Sequence, residues 1–305
     1  MTNNSTYHIP VMLNECLEGL NIQPDGLYVD VTFGGGGHSK AIFEKLGPKG
    51  RLIAVDQDPD AHKNAWEAPN FTLVAGNFAY LKNQLRLLGI KQVDGVLADL
   101  GVSSHQFDVE GRGFSIRGNA PLDMRMNPSA GKTAAEVVNE YPEAELYRIF
   151  RSYGEINNTG RLVRELLSAR SNKKIKTTGD LRDIAEKCAP KNKEHKYLAQ
   201  VFQAIRIEVN DEMDVLEKFL EACSDVIKPG GRLVVMSYHS LEDRLVKNYM
   251  KRGSFDGEIT KDFFGNILKP FSEVIRHPIT PTEKELEINT RSRSAKLRIA
   301  ERNGE

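Results

Sequence analysis

The sequence predicts a doubly wound α/β sheet carrying an inserted block of helices. Up to about Gly101, short apolar runs alternate with helix-length segments, the rhythm of a parallel sheet. From Thr133 to about Arg206 that rhythm gives way to successive stretches with helical apolar spacing alone. The alternation then resumes, so the helices interrupt a sheet and do not simply follow it.

In chain order, the first strand covers Leu27–Thr32 and runs through YVDVTFGGGGHS into a helix beginning near His38. Four consecutive glycines suit a sharp strand-to-helix turn that lets backbone approach a ligand closely. A second strand, Arg51–Asp56, ends in a carboxylate about twenty residues past the turn, the spacing of an acid that accepts ribose hydroxyls. Phe71–Ala75 and Gly95–Asp99 are the third and fourth strands, with intervening helices starting near Pro59 and Tyr80. Residues 107–127, rich in Gly, Asp, Arg and Met, read as a long irregular loop, and loops of that length are usually functional. Helices follow over Thr133–Asn139, Pro142–Ser152, Gly160–Ala169, Asp180–Cys188 and Glu194–Ile207, with Thr177 as a capping start for the fourth. A helix over Glu212–Ile227 leads through Lys228-Pro229-Gly230-Gly231 into a fifth strand, Arg232–Ser237. The expected organisation is a sheet domain in two parts, residues 1–106 and 209–305, the second with a basic tail. Residues 107–208 form the inserted loop and helical domain.

Composition bounds the function. A chain of 305 residues, 40% hydrophobic, has room for one large α/β domain and an insert. No apolar run is long enough to cross a bilayer, and the polar start MTNNSTYHIP is not a signal peptide. Cys16, Cys188 and Cys223 are scattered without a C-x-x-C, which argues against a disulfide framework or a zinc site and for a reduced cytoplasm. Formal net charge is zero, but twelve Lys and Arg face five acids between Arg161 and Arg206. The tail adds Arg291, Arg293, Lys296, Arg298 and Arg302 against Glu301. Such a local excess suits a polyanion met on one face, though a solvated helical surface has the same composition.

The glycine turn and Asp56 together suit an adenosine-containing ligand. A dinucleotide motif wants a small residue where Ser39 stands, and Asp30 places a carboxylate where a pyrophosphate would lie. A cationic sulfonium with an amino group fits that charge better, so S-adenosylmethionine is favoured over NAD. Phe78, just past the third strand, is a candidate to stack on adenine or to fill the core under the loop. In VLADLGVSSHQFD an apolar strand delivers Asp99 to the sheet's edge, where a carboxylate has no packing purpose, although an ion pair would also account for it.

Taken together, GGGGHS, AVDQDPDA, DLGVSSHQFD, GRGFSIR, PLDMRMNP, SYHSLEDR and NTRSRSAKLR resemble the bacterial MraW/RsmH family, from HIPVMLNE at His8 to the tail. Departures are small: Gly35 and His105 stand where other residues occur. The resemblance implies a class I, Rossmann-like S-adenosylmethionine-dependent methyltransferase sheet with an inserted all-helical domain. It implies methylation of the exocyclic N4 of a cytidine in small-subunit ribosomal RNA at the decoding centre. It also implies a cofactor site lined by Gly36, Gly37, His38, Asp56, Phe78, Asp99 and Gln106, the last of which the residues alone do not single out. Asp99 is the candidate acceptor that polarises the amino group, standing where related amino-methyltransferases carry Asp or Asn before Pro-Pro-Tyr/Phe. The aromatic of that motif is missing here, and Phe107 and Phe114 are candidates to stack on the base. His239 is a second catalytic candidate, with capping of its turn as the alternative. Lys173, Lys174 and Lys176, between two helices, and Arg112, Arg117, Arg125, Arg291 and Arg293, in irregular segments, are candidate RNA contacts. The tail block also reads as an edge strand with exposed basic side chains. No metal is expected. The partner is the ribosomal RNA, within an assembled small subunit, with no membrane involved and a homodimer left open. Two other classes remain: a nucleotide-dependent oxidoreductase, disfavoured by Asp30 and the absent third glycine, and a noncatalytic RNA-binding ribosome-assembly factor, disfavoured by the intact ligand loop and Asp99.

Overall fold

The computed structural model describes residues 10–109 and 111–304; His8, where the family resemblance begins, lies outside the described residues. The chain divides into two compact units, one comprising residues 1–101 and 213–305 and the other residues 102–212.

The first unit holds a seven-stranded sheet in the order β3-β2-β1-β4-β5-β7-β6. Helix α1 (Leu13–Leu20) precedes β1 (Leu27–Asp30), α2 (Gly37–Lys45), β2 (Arg51–Asp56), β3 (Phe71–Ala75), α3 (Leu81–Leu87) and β4 (Val93–Asp99). These four strands are parallel, with β1 paired to both β2 and β4. Near-continuous burial along β2 and β4 reflects a parallel sheet covered on both faces. The helix expected after Pro59 is reduced to a 3-10 turn, Ala61–Asn64. The segment beyond it places Trp66 flat on Phe71, ring centroids 3.9 Å apart. That aromatic stack, joined by Phe33 and Phe43, takes the place of a longer helix.

The second unit is all helical. It contains α4 (Ser104–Asp108), α5 (Ala134–Glu140), α6 (Glu143–Ser152), α7 (Thr159–Asn172), α8 (Thr178–Glu186) and α9 (Glu194–Val209). Thr133 and Thr177 close reciprocal capping boxes with Glu136 and Asp180, starting α5 and α8. Phe150, Leu162, Leu166, Leu181, Val201 and Ile205 are buried in its own apolar core. The segment before α5 is irregular but anchored, with Phe114, Leu122 and Met124 buried in that same core.

Returning to the sheet unit, α10 (Glu212–Val226) leads into β5 (Ile227–Ser237), which pairs parallel to β4. Then come α11 (Ser240–Arg252), the short strand β6 (Phe271–Glu273), α12 (Glu283–Ile288) and β7 (Lys296–Arg302). The tail is not the expected edge strand. β7 runs antiparallel between β5 and β6, and it is β6 that forms the edge. Its basic side chains are tolerated there because Asp243 takes an ion pair from Arg298 at 2.7 Å and another from Lys296 at 3.1 Å. Among the described residues no helix is long and apolar enough to cross a membrane.

Candidate functional site

Three of the parallel strands end in a carboxylate: Asp30 on β1, Asp56 on β2 and Asp99 on β4. Open α/β sheets bind ligands beyond the carboxyl ends of their strands, so this edge is where a site belongs.

The glycine turn is built on these acids. Gly34 and Gly36 have φ of +50° and +76°, the left-handed region that glycine enters without strain. The Gly36 N–H donates to the Phe33 carbonyl at 2.7 Å and closes the turn. A side chain on Gly37 would collide with the Pro10 ring, whereas one on Gly35 would meet nothing. Asp56 accepts the Gly34 N–H on Oδ2 and the Asp58 N–H on Oδ1, each at 2.8 Å. The acid therefore also holds the end of β2 to the turn, and each oxygen keeps a lone pair for a ligand. Burial raises its carboxyl above the usual range, and the two N–H groups oppose that rise. Asp30, only 1% exposed, accepts the Ser39 hydroxyl at 2.6 Å and the Thr32 N–H at 3.1 Å. Ser39 thus serves a buried charge, which explains a hydroxyl where a dinucleotide motif wants a small apolar residue.

Asp99 sits between β1, α2 and the end of β5. Its N–H donates to Thr32 Oγ1 at 2.7 Å, and its Oδ1 accepts the Tyr238 hydroxyl at 2.7 Å. Its Oδ2 lies 3.8 Å from His38 Nδ1. Burial pushes the Asp99 carboxyl up to about 6, while His38 and the Tyr238 hydroxyl pull it back. His38 is itself buried, and its Nε2 donates to the Val11 carbonyl at 3.1 Å.

The other sequence candidates divide. Phe78 packs edge-on against Phe219, centroids 5.2 Å apart, and remains partly exposed. Gln106 belongs to the helical unit, where it is buried and closes a capping box with Ser103. His239 is the N-cap of α11, its ring facing the Glu242 N–H and carboxylate, which gives it a structural task at the turn. Phe114 is enclosed in the helical core at 5% exposure, which removes it as a stacking surface, whereas Phe107 is 38% exposed. Arg112 donates to the Arg125 and Met126 carbonyls, and Arg125 forks onto Asp123 at 2.7 and 2.8 Å. The Arg112 guanidinium thus satisfies carbonyls of an irregular backbone that has no ladder of its own, while that of Arg125 is taken by a neighbouring carboxylate. Arg117, Arg291 and Arg293 are exposed. Lys173, Lys174 and Lys176 are exposed too, with Lys173 3.3 Å from Asp180. Sequence reasoning missed Tyr238 and Thr32. A tyrosine immediately after a strand that parallels β4 was the available signal, and its neighbour His239 overshadowed it.

A family model described as the MraW methylase family matches residues 5–303. The chain is 55% identical over 302 residues to the ribosomal RNA small subunit methyltransferase H of Flavobacterium johnsoniae, covering 99% of this chain and 100% of that protein. It is 56% identical over 300 residues to the protein of the same name from Parabacteroides distasonis, covering 98% of each. With that from Flavobacterium psychrophilum it shares 57% over 291 residues, 95% of this chain and 100% of the relative.

Proposed function

The chain belongs to the MraW methylase family, and we propose that it transfers a methyl group from S-adenosylmethionine to the exocyclic N4 of a cytidine in small-subunit ribosomal RNA, at the decoding centre. Methylation of ribosomal RNA follows from the family and from relatives of matching length. The observation that carries the finer chemistry is Asp99, a partly exposed carboxylate fixed at the end of β4 with one oxygen already satisfied.

The residues present fit the cofactor. An edge lined by Asp30, Asp56 and Asp99 repels a diphosphate and favours a cationic sulfonium with an amino group. Gly36, Gly37 and His38 at the start of α2 would approach it with backbone, Asp56 would take the ribose hydroxyls, and Phe78 would contact the adenine. Asp99 and Gln106 complete the proposed set. When bound, S-adenosylmethionine supplies an electrophilic methyl group on a cationic sulfur.

The chain's own work is on the nucleophile. The lone pair of cytosine N4 is delocalised into the ring, so the amino group attacks poorly. A carboxylate oxygen accepting an amino hydrogen pyramidalises the nitrogen and stabilises the positive charge that develops on it. That interaction strengthens in the transition state, which is where it lowers the barrier. Methylation also releases one amino proton, and a carboxyl near 6 can take it and return it to water. The exposed Lys173, Lys174, Lys176, Arg117, Arg291 and Arg293 are the proposed phosphate contacts. A substrate of this kind places the enzyme in the cytoplasm, acting on an assembled small subunit.

Incubation with tritiated S-adenosylmethionine and small ribosomal subunits, followed by nucleoside analysis, tests the proposal. Label in N4-methylcytidine is expected, and label in any other nucleoside refutes it. Asp99→Ala should cut the single-turnover rate far more than RNA affinity, with cofactor affinity measured alongside. A rate within a few-fold of wild type at saturating cofactor removes Asp99 from the chemistry.

A further inference from the structure

We propose that Tyr238 is a positioning residue for Asp99, fixing the carboxylate so that Oδ2 meets the amino group of the target base; this rests on the functional reading above. A carboxylate at a strand end rotates between equivalent poses unless something distinguishes its oxygens. Here the Tyr238 hydroxyl does so, donating to Oδ1 at 2.7 Å. Among the described residues nothing donates a hydrogen bond to Oδ2, whose near neighbour is His38 Nδ1 at 3.8 Å. Because a carbonyl only accepts, the Nε2–H of His38 goes to Val11, and at 3.8 Å its Nδ1 stands beyond hydrogen-bond distance of Oδ2. Oδ2 is thereby left for an incoming N–H.

Tyr238 is itself held from three sides. Its N–H donates to Glu242 Oε2 at 2.9 Å, tying it to the first turn of α11. Its ring lies beside Gly101, where an added Cβ would sit 3.7 Å from Cδ2. The same ring packs on the cluster that includes Met236 and Leu297. The backbone of Asp99 is clamped separately by Thr32. Side chains just past β1 and β5 thus fix the one residue that ends β4, Thr32 at its backbone and Tyr238 at its carboxylate. Burial and the adjacent Asp99 hold the phenol far above its ordinary range, so it stays a donor at every working pH. The charged and titratable groups acting on this pair are His38 on α2, Asp30 on β1, Glu242 on α11 and Cys16 on α1.

Tyr238→Phe in the full chain keeps the ring and removes the one donor. In the ligand-free protein, the Asp99 carboxyl, followed by carbon-13 NMR, should titrate at higher pH than in wild type, since the ionised form has lost its hydrogen bond. With small subunits and saturating cofactor, the single-turnover rate should fall about tenfold to a hundredfold, the span of one hydrogen bond to a charged group. Affinity for S-adenosylmethionine should stay within about twofold of wild type, and the acid limb of the pH–rate profile should move upward. Added to Asp99→Ala, the change should cost nothing further. An unmoved titration midpoint together with a wild-type rate overturns the role of Tyr238 while wild-type formation of N4-methylcytidine leaves the functional reading standing. Cofactor affinity falling in step with rate makes Tyr238 part of the scaffold and overturns the role as well. Absence of N4-methylcytidine from the wild-type reaction overturns the functional reading itself.

Discussion

Asp99→Asn should yield a protein that is more stable than wild type. The carboxyl is pushed up from 3.8 to about 6, chiefly by burial. A shift of about two units at about 1.4 kcal/mol each makes ionised Asp99 cost the fold at most about 3 kcal/mol. The side chain is 24% exposed, so water recovers part of that, and the expected cost is about 1–2 kcal/mol. The sign follows from linkage. An acid whose folded value lies above its unfolded one imposes no cost below about pH 4, an increasing cost as pH rises, and the full cost above about pH 6. An amide in its place keeps an oxygen for the Tyr238 hydroxyl and carries no charge to bury. At about 2–4 °C per kcal/mol, the variant should melt a few degrees higher at pH 8, with the gain shrinking toward pH 4. Ligand-free thermal unfolding at both pH values measures this directly. A variant that melts at or below wild type at pH 8, or gains equally at both, would show that the Asp99 charge is not what the fold is tolerating.

Asp56→Ala should weaken S-adenosylmethionine binding at least about tenfold by calorimetry. It should also lower the melting temperature, because Gly34 and Asp58 lose the acceptor for their N–H groups. Unchanged affinity removes Asp56 from the cofactor site. Replacing Lys173, Lys174 and Lys176 with Glu should weaken binding to small subunits and flatten its salt dependence without touching cofactor affinity. Equal affinity and equal salt slope would make those lysines a solvated surface. His239→Ala should cost about 1 kcal/mol as a lost N-cap, while His239→Ser should restore stability and keep the methyl-transfer rate. A stable serine variant with a collapsed rate would place His239 in the chemistry.

The parallel strands were legible because each is an apolar run ending in an acid or a turn, and an acid at a strand end has few packing reasons to exist. The five main helices of the inserted unit were legible for the same kind of reason, an apolar stripe, opened at the fourth of them by the capping Thr177. What escaped was decided by partners distant in sequence. The helix after Pro59 gave way to the stack of Trp66 on Phe71, and no local pattern announces such a stack. The basic tail became an internal strand because Asp243 on α11 neutralises two of its cations, far away in the chain. Arg112 and Arg125 looked like nucleic-acid contacts because irregular segments that bind phosphate and irregular segments that need internal donors have the same composition. Tyr238 was invisible as a partner of Asp99 until β5 was seen to lie beside β4.

That last pairing also dictates an order of assembly. The seam between β4 and β5 joins segments on either side of the whole helical unit, so during synthesis β4 is finished long before its neighbour exists. Until then it presents an open edge, the most adhesive state a strand can be in. The helical unit has its own core, and so can fold in the interval. Once it has folded, less chain entropy remains to be surrendered when the two halves of the sheet meet. A nascent chain halted before β5 therefore owns the glycine turn and all three strand-end acids, yet has no hydroxyl to set the pose of Asp99. Chemical competence arrives late and at one step.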